Sequence, residues 1–501
     1  MKGGPRKRAR TAPTLMGNVG FNFFAFFAGK GASAVVGIFL IRILGPEGAG
    51  FYTAALGFAF VFAIIADLGL PGYVTREVSQ ARDRIQGIFS RALLIQAVQV
   101  VVASVVMAVS VLFGAAGQVP APLVALAFAG LALAIMTVPT SAGLQGREEF
   151  RAVALVSSAC SWMNAIAVLA VALVAPSPFN ALAGWAASNA AGLVLWLWAG
   201  RRNGLAFRRP APLNAWGFWR GAFPFAMTGI TNQLYVRQGM VLLTWMASVF
   251  ALGLYGAAAR MSELLQLILL SLSGPLYPRL GFLARGVTSS GLPGPAARES
   301  IGKVLTRALR YLGAVCFPVG VGGTVLATPL MLLLFGREFG GAGPAFAWLV
   351  WVAALSGAHC GMLHALNALH RARWVAVMFG FNAVFSLAIN LVFIPRYGIM
   401  AVAMAAALCE VVVMVASLFL LKGRCGIPVG LKRWLWPSVP ASLLMAVVLR
   451  FLPAPSGMAV LADVAIGAAA YLGFLIVLGF FGYEERVHLR RFAGRLGLLR
   501  A

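Results

Sequence analysis

The chain has 501 residues, of which 61% are apolar and only 11% are charged, and its formal net charge is +27. Soluble domains carry about 25% charged residues, so this composition excludes a soluble fold and predicts a chain embedded in a lipid bilayer. The positive charge is spread over short segments between apolar stretches rather than over one face. That distribution excludes nucleic acid as the partner and favours anionic membrane lipids.

Transmembrane helices are the main elements that the sequence predicts. About fourteen apolar segments are long enough, since about 20 helical residues span the hydrocarbon core. The predicted fold class is therefore all-α, a polytopic membrane protein. The predicted helices cover residues 16–42, 50–72, 91–113, 122–145, 152–174, 180–200, 221–247, 251–275, 308–334, 343–368, 373–394, 399–421, 433–452 and 457–482.

Basic residues predict the orientation of these helices, because loops on the cytoplasmic side carry an excess of lysine and arginine. With the N-terminus inside, most of the 40 basic residues fall in inward tails and loops. The outward loops are short and hold few charges. We therefore predict that both termini are cytoplasmic.

Two short sequence repeats indicate that the chain contains two related halves. Gly50–Ala55 opens predicted helix 2, and the similar Gly253–Ala258 opens predicted helix 8. Leu144–Arg147 near the end of predicted helix 4 likewise corresponds to Leu366–Arg371 near the end of predicted helix 10. Helices 1–6 and 7–12 then form two parallel repeats, and such repeats place a substrate site between lobes near the bilayer midplane. The predicted parts are a basic tail over 1–15, an N-lobe over 16–220, a C-lobe over 221–425, helices 13 and 14 over 426–483, and a second basic tail over 484–501.

Several motifs resemble those of a known transporter family. The stretches that carry the resemblance are Arg42–Tyr52, Ala66–Pro71 with Arg76-Glu77, Leu252–Tyr255 with Ala259–Glu263, and Asn390–Gly398 with Ala401 and Glu410. In order and spacing they resemble the bacterial polysaccharide (O-antigen type) flippases, members of the multidrug/oligosaccharidyl-lipid/polysaccharide exporter superfamily. The resemblance covers about residues 18–422 and leaves the last two helices out.

The resemblance implies a V-shaped bundle of two six-helix lobes in the bacterial inner membrane. It implies that the cargo is a polyprenyl-pyrophosphate-linked oligosaccharide for cell-surface polysaccharide biosynthesis. This cargo would move from the cytoplasmic to the outer leaflet by alternating access, with contact to the glycan polymerase machinery.

Three basic residues fall inside the predicted bilayer rather than in loops: Lys30, Arg237 and Arg260. Each lies roughly 14–20 Å from a membrane face at 1.5 Å per residue. A charge at this depth costs about 2.5–3.5 kcal/mol on insertion scales, and a wet cleft with a bound pyrophosphate would offset that cost. We therefore predict that the three side chains bind substrate. The alternative is internal pairing, since Glu263 stands three residues after Arg260 on the same helix face.

Polar residues near these cations extend the predicted substrate surface. Asn22 lies on predicted helix 1, and Asn232, Gln233 and Tyr235 lie on predicted helix 7. Their amide and phenol groups would hydrogen-bond sugar hydroxyls, and interhelical hydrogen bonds remain an equal alternative.

Four charged residues are candidates for gating or ion coupling. Asp67 and Arg76 are predicted to form an ion pair at the inner gate, with a proton or sodium site at Asp67 as the alternative. Glu263 would position or gate Arg260. Glu410, midway along predicted helix 12, is the best lone carboxylate for ion coupling, with hydrogen-bonded packing as its alternative.

The sequence supports neither an enzyme nor a metal or cofactor site. It lacks a phosphate-cradling loop, and no Ser-His-Asp set falls in an outward position. The five cysteines form no C-x-x-C pair, and the histidines of predicted helix 10 lack a partner cluster for zinc.

Three other functions remain as alternatives. A lipid II flippase would need the same phosphate chemistry. A cation-coupled multidrug exporter would favour cavity carboxylates over these cations. A glycan polymerase or ligase would need catalytic residues in the outward loops.

Overall fold

The computed structural model describes residues 15–81, 84–114, 116–207, 215–274, 276–284, 294–369, 371–453 and 457–480, and these are helical with short connections. The helices are α1 (Leu15–Asp67), α2 (Leu70–Gln80), α3 (Ile85–Leu112), α4 (Ala121–Ile135), α5 (Val138–Gly146), α6 (Phe150–Val174), α7 (Pro178–Arg202), α8 (Ala215–Met246), α9 (Val249–Ser271), α10 (Leu276–Leu283), α11 (Pro295–Val325), α12 (Ala327–Phe335), α13 (Gly343–Ala368), α14 (Ala372–Tyr397), α15 (Ile399–Phe419), α16 (Leu431–Leu435), α17 (Ser438–Phe451) and α18 (Ala459–Val477). A 3-10 turn, Arg337–Ala342, precedes α13, and a π-helical turn, Leu420–Arg424, follows α15.

Within the described residues, 11 helical runs are long and apolar enough to cross a membrane. They include α3, with mean hydropathy 2.4, and the run through α15, with mean hydropathy 2.5. Because such segments satisfy their backbone hydrogen bonds internally, they are stable in hydrocarbon. The polytopic all-α fold predicted from composition is thereby confirmed.

Predicted helices 1 and 2 meet at a kink at Gly45-Pro46, and the helices on either side of this kink together form α1. Gly45 has φ 67° and ψ 174°, and α1 resumes directly after it. Glycine adopts this conformation without a Cβ clash, and proline lacks the N–H that an unbroken helix would need at that position. The pair therefore separates two helices at a kink, in place of the longer connection predicted between residues 42 and 50.

Contacts divide the chain into two compact units. The first contains the described residues within 1–37, 59–115 and 121–229. In this unit α7 packs against both α4 and α6, and α2 packs against α5. Leu182 of α7 and Leu70 of α2 are fully buried there.

The second unit contains the described residues within 38–58, 116–120 and 230–501. Its centre is α13, which packs against α9, α11 and α15. Of the apolar stretch within Arg337–Ala368, 72% is buried, against 22% for that of Ala459–Val477. This contrast makes α13 the core helix and leaves most of α18 to face lipid.

Grouping by contacts puts one boundary between the units at 229/230 and assigns residues 38–58 of α1 to the second unit. The lobe boundary at 220/221 stays a prediction. The predicted segment of helices 13 and 14 also belongs to the second unit, where α17 packs against α11 and α18.

The two glycine repeats lie against each other within the second unit. A Cβ added to Gly253 of α9 would stand 1.8 Å from the carbonyl oxygen of Pro46. A Cβ added to Gly50 of α1 would stand 2.0 Å from the carbonyl oxygen of Val249. Only glycine permits this approach, so the repeated motif forms a backbone-to-backbone contact between α1 and α9.

Candidate functional site

A cavity of about 350 Å³ lies inside the second unit, between five of its helices. Its wall combines apolar side chains with convergent polar groups, which is typical of ligand sites. The polar lining residues include Tyr235 and Arg237 of α8, Tyr255, Ser262, Glu263 and Gln266 of α9, Ser356 and His359 of α13, Ser386 and Asn390 of α14, and Glu410 of α15.

An ion-paired cluster of Arg237, Arg260 and Glu263 stands at this cavity. Nη1 of Arg260 lies 3.3 Å from Oε2 of Glu263, and Nη1 of Arg237 lies 3.9 Å from Oε1 of the same carboxylate. The side chains of Arg237, Arg260 and Glu263 are 33%, 37% and 52% exposed, respectively. Two cations share one anion, so the cluster is net positive and its guanidinium groups remain within reach of solvent.

The Arg260–Glu263 pair has the geometry that the three-residue spacing allows, and Arg237 joins it from the neighbouring helix. Arg237 and Glu263 line the cavity directly, whereas Arg260 reaches it through Glu263. Guanidinium groups bind phosphate oxygens in a planar fork, and a nearby carboxylate competes with such an anion. The cluster therefore has groups that suit a phosphate, and Glu263 would compete with such an anion for the two guanidinium groups.

A buried polar triad of Tyr235, His359 and Glu410 also lines this cavity. Nε2 of His359 lies 2.8 Å from Oε2 of Glu410, and the two side chains are only 2% and 9% exposed. The Tyr235 hydroxyl donates to Oε1 of Glu410 over 3.0 Å. Glu410 is thus not the lone carboxylate that the sequence suggested, because each of its oxygens has a partner.

Sequence reasoning missed His359 as a functional residue. It lies 51 residues before Glu410 on a different helix, and no spacing rule relates the two. Nδ1 of His359 is buried and makes no hydrogen bond within the described residues. A histidine with one ring nitrogen on a carboxylate is a group that can carry a proton.

The predicted inner-gate ion pair between Asp67 and Arg76 is not seen in the described part of the chain. Asp67 is the last residue of α1, and its Oδ1 is buried without a hydrogen bond. Arg76 of α2 instead pairs with Glu77, its neighbour in sequence, at 3.2 Å. The turn at Gly69, with φ 76°, separates the two helices that carry Asp67 and Arg76.

The remaining predicted substrate residues are less informative. Gln233 is half-buried on α8 and is not among the residues that line the second-unit cavity. The side chains of Asn22 on α1 and Asn232 on α8 lie outside the described part of the structure.

Lys30 lies in the first unit, where it lines a separate cavity of about 390 Å³, here called the Lys30 cavity. Its side chain is exposed although its helix is one of the apolar runs. The residues that line the Lys30 cavity are Lys30, Ala134, Thr137, Ser141, Gln145, Val153, Ser157, Ser158, Cys160, Ser161, Asn189, Gly192 and Trp196. No group of three or more potential metal ligands occurs among the described residues.

One protein-family model matches this chain. It is described as a polysaccharide biosynthesis protein, and the match spans residues 15–283. None of the curated proteins compared with the chain matches it.

Solved structures of transporters are similar to this chain over most of its length. The lipid II flippase MurJ in an inward closed conformation has TM-score 0.70 and 13% identity, over 92% of this chain and 99% of that one. An inward-facing multidrug resistance MATE family transporter of the MOP superfamily has TM-score 0.54 and 13% identity, over 89% and 97%. A Vibrio cholerae MATE transporter has TM-score 0.53 and 14% identity, over 82% and 98%. The chain therefore has the helical fold of these transporters.

Proposed function

This chain belongs to the polysaccharide biosynthesis protein family, and we propose that it is a flippase for a polyprenyl-pyrophosphate-linked oligosaccharide. The cargo moves from the cytoplasmic to the outer leaflet of the bacterial inner membrane by alternating access, for cell-surface polysaccharide biosynthesis. In this proposal both termini lie in the cytoplasm, and the glycan polymerase machinery receives the transported glycan. The solved structures that resemble the chain are a flippase and transporters, and the proposed role requires no catalytic step from this chain.

The cluster of Arg237, Arg260 and Glu263 is the observation that carries this proposal. A lipid-linked glycan varies in its sugars but always brings a diphosphate, so a carrier needs a constant anion site. Two guanidinium groups at a cavity inside a membrane protein supply that site, and the phosphate offsets the cost of keeping them there. Lys30, Asn22, Asn232, Gln233 and Tyr235 are proposed as further contacts for the cargo.

The buried triad supports ion coupling as part of the mechanism. Glu410 lies in the same cavity as Arg237, so a proton or cation arriving at this carboxylate would change the field around a bound diphosphate. Glu263, Asp67 and Arg76 are proposed as gating residues. The membrane potential adds a driving force of about 2.3 kcal/mol per 100 mV for each negative charge that moves outward.

A lipid II flippase is the second candidate, because it would use the same diphosphate site. The MurJ likeness supports the fold for either substrate. A cation-coupled multidrug exporter ranks lower, since the net charge of the Arg237–Arg260–Glu263 cluster is positive.

The test replaces both arginines, Arg237→Ala with Arg260→Ala, in cells whose surface polysaccharide depends on this chain. We expect export to stop while the protein remains in the membrane at its normal level. The control pair, Arg373→Ala with Arg396→Ala, removes the same charge from exposed positions on α14 and should export normally. Normal export by the Arg237/Arg260 pair would refute the site. A separate assay, in which reconstituted vesicles are supplied with either lipid II or an oligosaccharide lipid, would identify the cargo.

A further inference from the structure

The Lys30 cavity has a polar lining, although the helical runs that form it are apolar enough to cross a membrane. Seven of its residues carry a hydroxyl or a side-chain amide, and they come from α5, α6, α7 and the turn before α5. These are Thr137, Ser141, Gln145, Ser157, Ser158, Ser161 and Asn189. Ser157 and Ser161 are four residues apart on α6 and so share a helix face.

Two hydroxyl groups of this wall, those of Thr137 and Ser141, are suited to accept hydrogen bonds. Thr137 donates its own proton to the carbonyl of Ala134 at 2.6 Å, and Ser141 donates to Val138 at 3.0 Å. A hydroxyl whose proton is used in this way keeps its oxygen lone pairs for a ligand. The wall therefore favours a ligand that brings several donors, which a sugar does and a phosphate does not.

Lys30 is the one basic residue among those that line the cavity. It is held there because α1 approaches α6 closely at the preceding residue: a Cβ on Gly29 would lie 3.1 Å from Cβ of Ser161. One turn later the Ser33 hydroxyl donates to the carbonyl of Ser161 at 3.4 Å. An ammonium group provides a point charge with three donors rather than a planar fork, so it can pair with a carboxylate without bidentate geometry.

We propose that the Lys30 cavity binds an acidic sugar residue of the transported glycan, such as a hexuronic acid. The sugar hydroxyls donate to the serine and threonine oxygens of the wall, and the amide of Asn189 or Gln145 completes the set. Lys30 binds the sugar carboxylate. This inference rests on the proposed function, since it names the glycan class that the flippase carries. It also separates the role of Lys30 from that of the arginine cluster, which binds the diphosphate.

Cys160 offers a built-in reporter for this site. It lines the Lys30 cavity and is half-buried, whereas the other four cysteines are buried elsewhere. The experiment measures the rate at which N-ethylmaleimide alkylates Cys160 in the full chain in lipid nanodiscs, with the labelled position identified by mass spectrometry. The probes are D-glucuronic acid, D-glucose and inorganic pyrophosphate.

We expect glucuronic acid to slow alkylation of Cys160, by about threefold when its concentration is twice its Kd. Glucose should act more weakly at equal concentration, and pyrophosphate should have no effect. The inference is overturned if neither sugar slows the reaction, if glucose equals glucuronic acid, or if pyrophosphate protects as well as glucuronic acid. Failure of Cys160 to react in the ligand-free protein would also overturn it, because the cavity would then be closed to solutes.

Variants identify the groups responsible. Lys30→Gln should remove the advantage of glucuronic acid over glucose, and Ser157→Ala with Ser161→Ala should weaken protection by both sugars. The matched control is Ser110→Ala on α3, a half-buried serine that donates to Val106 at 2.8 Å and lies outside the cavity lining. It should leave the protection unchanged. Protection that survives all three cavity substitutions would contradict the assignment.

The outcome is distinguishable from a failure of the proposed function. A chain that shows protection by glucuronic acid but exports no lipid-linked glycan would refute the flippase and keep the sugar site. A chain that exports glycan and depends on Arg237 and Arg260, yet shows no protection at Cys160, would refute the sugar site alone.

Discussion

Substituting Glu263→Gln distinguishes a phosphate site from a purely structural ion pair. The change keeps the size of the side chain and removes the one negative charge of the arginine cluster. The net charge of two arginines and one glutamate rises from +1 to +2. If the cluster only stabilises the fold, the substitution should lower the stability of the protein. If the cluster binds diphosphate, the substitution should tighten diphosphate binding.

The structure gives the size of both effects. The carboxylate is 52% exposed, and exposed ion pairs contribute at most about 1 kcal/mol to stability, so thermal unfolding should change little. Unit charges 4 Å apart interact by about 1 kcal/mol in water and about 4 kcal/mol near a protein surface. Removing the competing charge from this half-exposed site should therefore tighten pyrophosphate binding about tenfold, which corresponds to 1.4 kcal/mol.

The assay is binding of labelled pyrophosphate to the purified chain in nanodiscs at fixed ionic strength, because salt screens exposed charges. Glu77→Gln is the matched control: Glu77 is partly exposed, at 30%, and pairs with an arginine at 3.2 Å, but it lies on α2. Its substitution should leave pyrophosphate binding unchanged. Equal or weaker binding by Glu263→Gln would refute the phosphate site.

Three further substitutions test other features. Gly253→Ala should lower stability by about 1–3 kcal/mol in thermal unfolding, because the methyl group would overlap the Pro46 carbonyl. The control, Gly473→Ala on α18, where the space is open, should change stability by no more than about 1 kcal/mol. Equal effects of the two substitutions would contradict the close contact. Tyr235→Phe should lower stability by about 0.5–1.5 kcal/mol through loss of its hydrogen bond to Glu410, and an unchanged melting temperature would argue against that bond. Glu410→Gln should abolish ion uptake that accompanies transport in vesicles while pyrophosphate still binds, and wild-type ion uptake would exclude Glu410 as the coupling group.

The sequence predicted those features that depend on composition or on local spacing. The apolar segments indicated an all-α membrane protein, and the family motifs led to the fold. The Arg260–Glu263 pair followed from three-residue spacing on one helix. The break predicted at Gly45-Pro46 is a kink between the two helices of α1, because the positive φ of Gly45 and the missing N–H of Pro46 interrupt the helix there.

Contacts between distant helices were beyond the reach of spacing rules. His359 and Glu410 meet because α13 and α15 pack against each other. The spacing of residues along one sequence does not reveal which helix faces will be in contact. The Asp67–Arg76 expectation relied on closeness along the chain, yet the turn after Asp67 intervenes and Arg76 pairs with Glu77. The serines of α6 were visible in the sequence, but small residues are also ordinary packing residues in membrane helices, so their shared cavity did not stand out.

The glycine contact between α1 and α9 has a consequence for how its substitutions combine. Gly50 and Gly253 belong to one seam, since a Cβ on Gly253 would also lie 3.0 Å from the backbone nitrogen of Gly50. A methyl group at either residue would force the two backbones apart, and the second methyl would then enter a gap that the first had opened. Alanine at both positions should therefore lower the stability by less than the sum of the two single losses. This sub-additive coupling would show that the two copies of the motif form one packing contact.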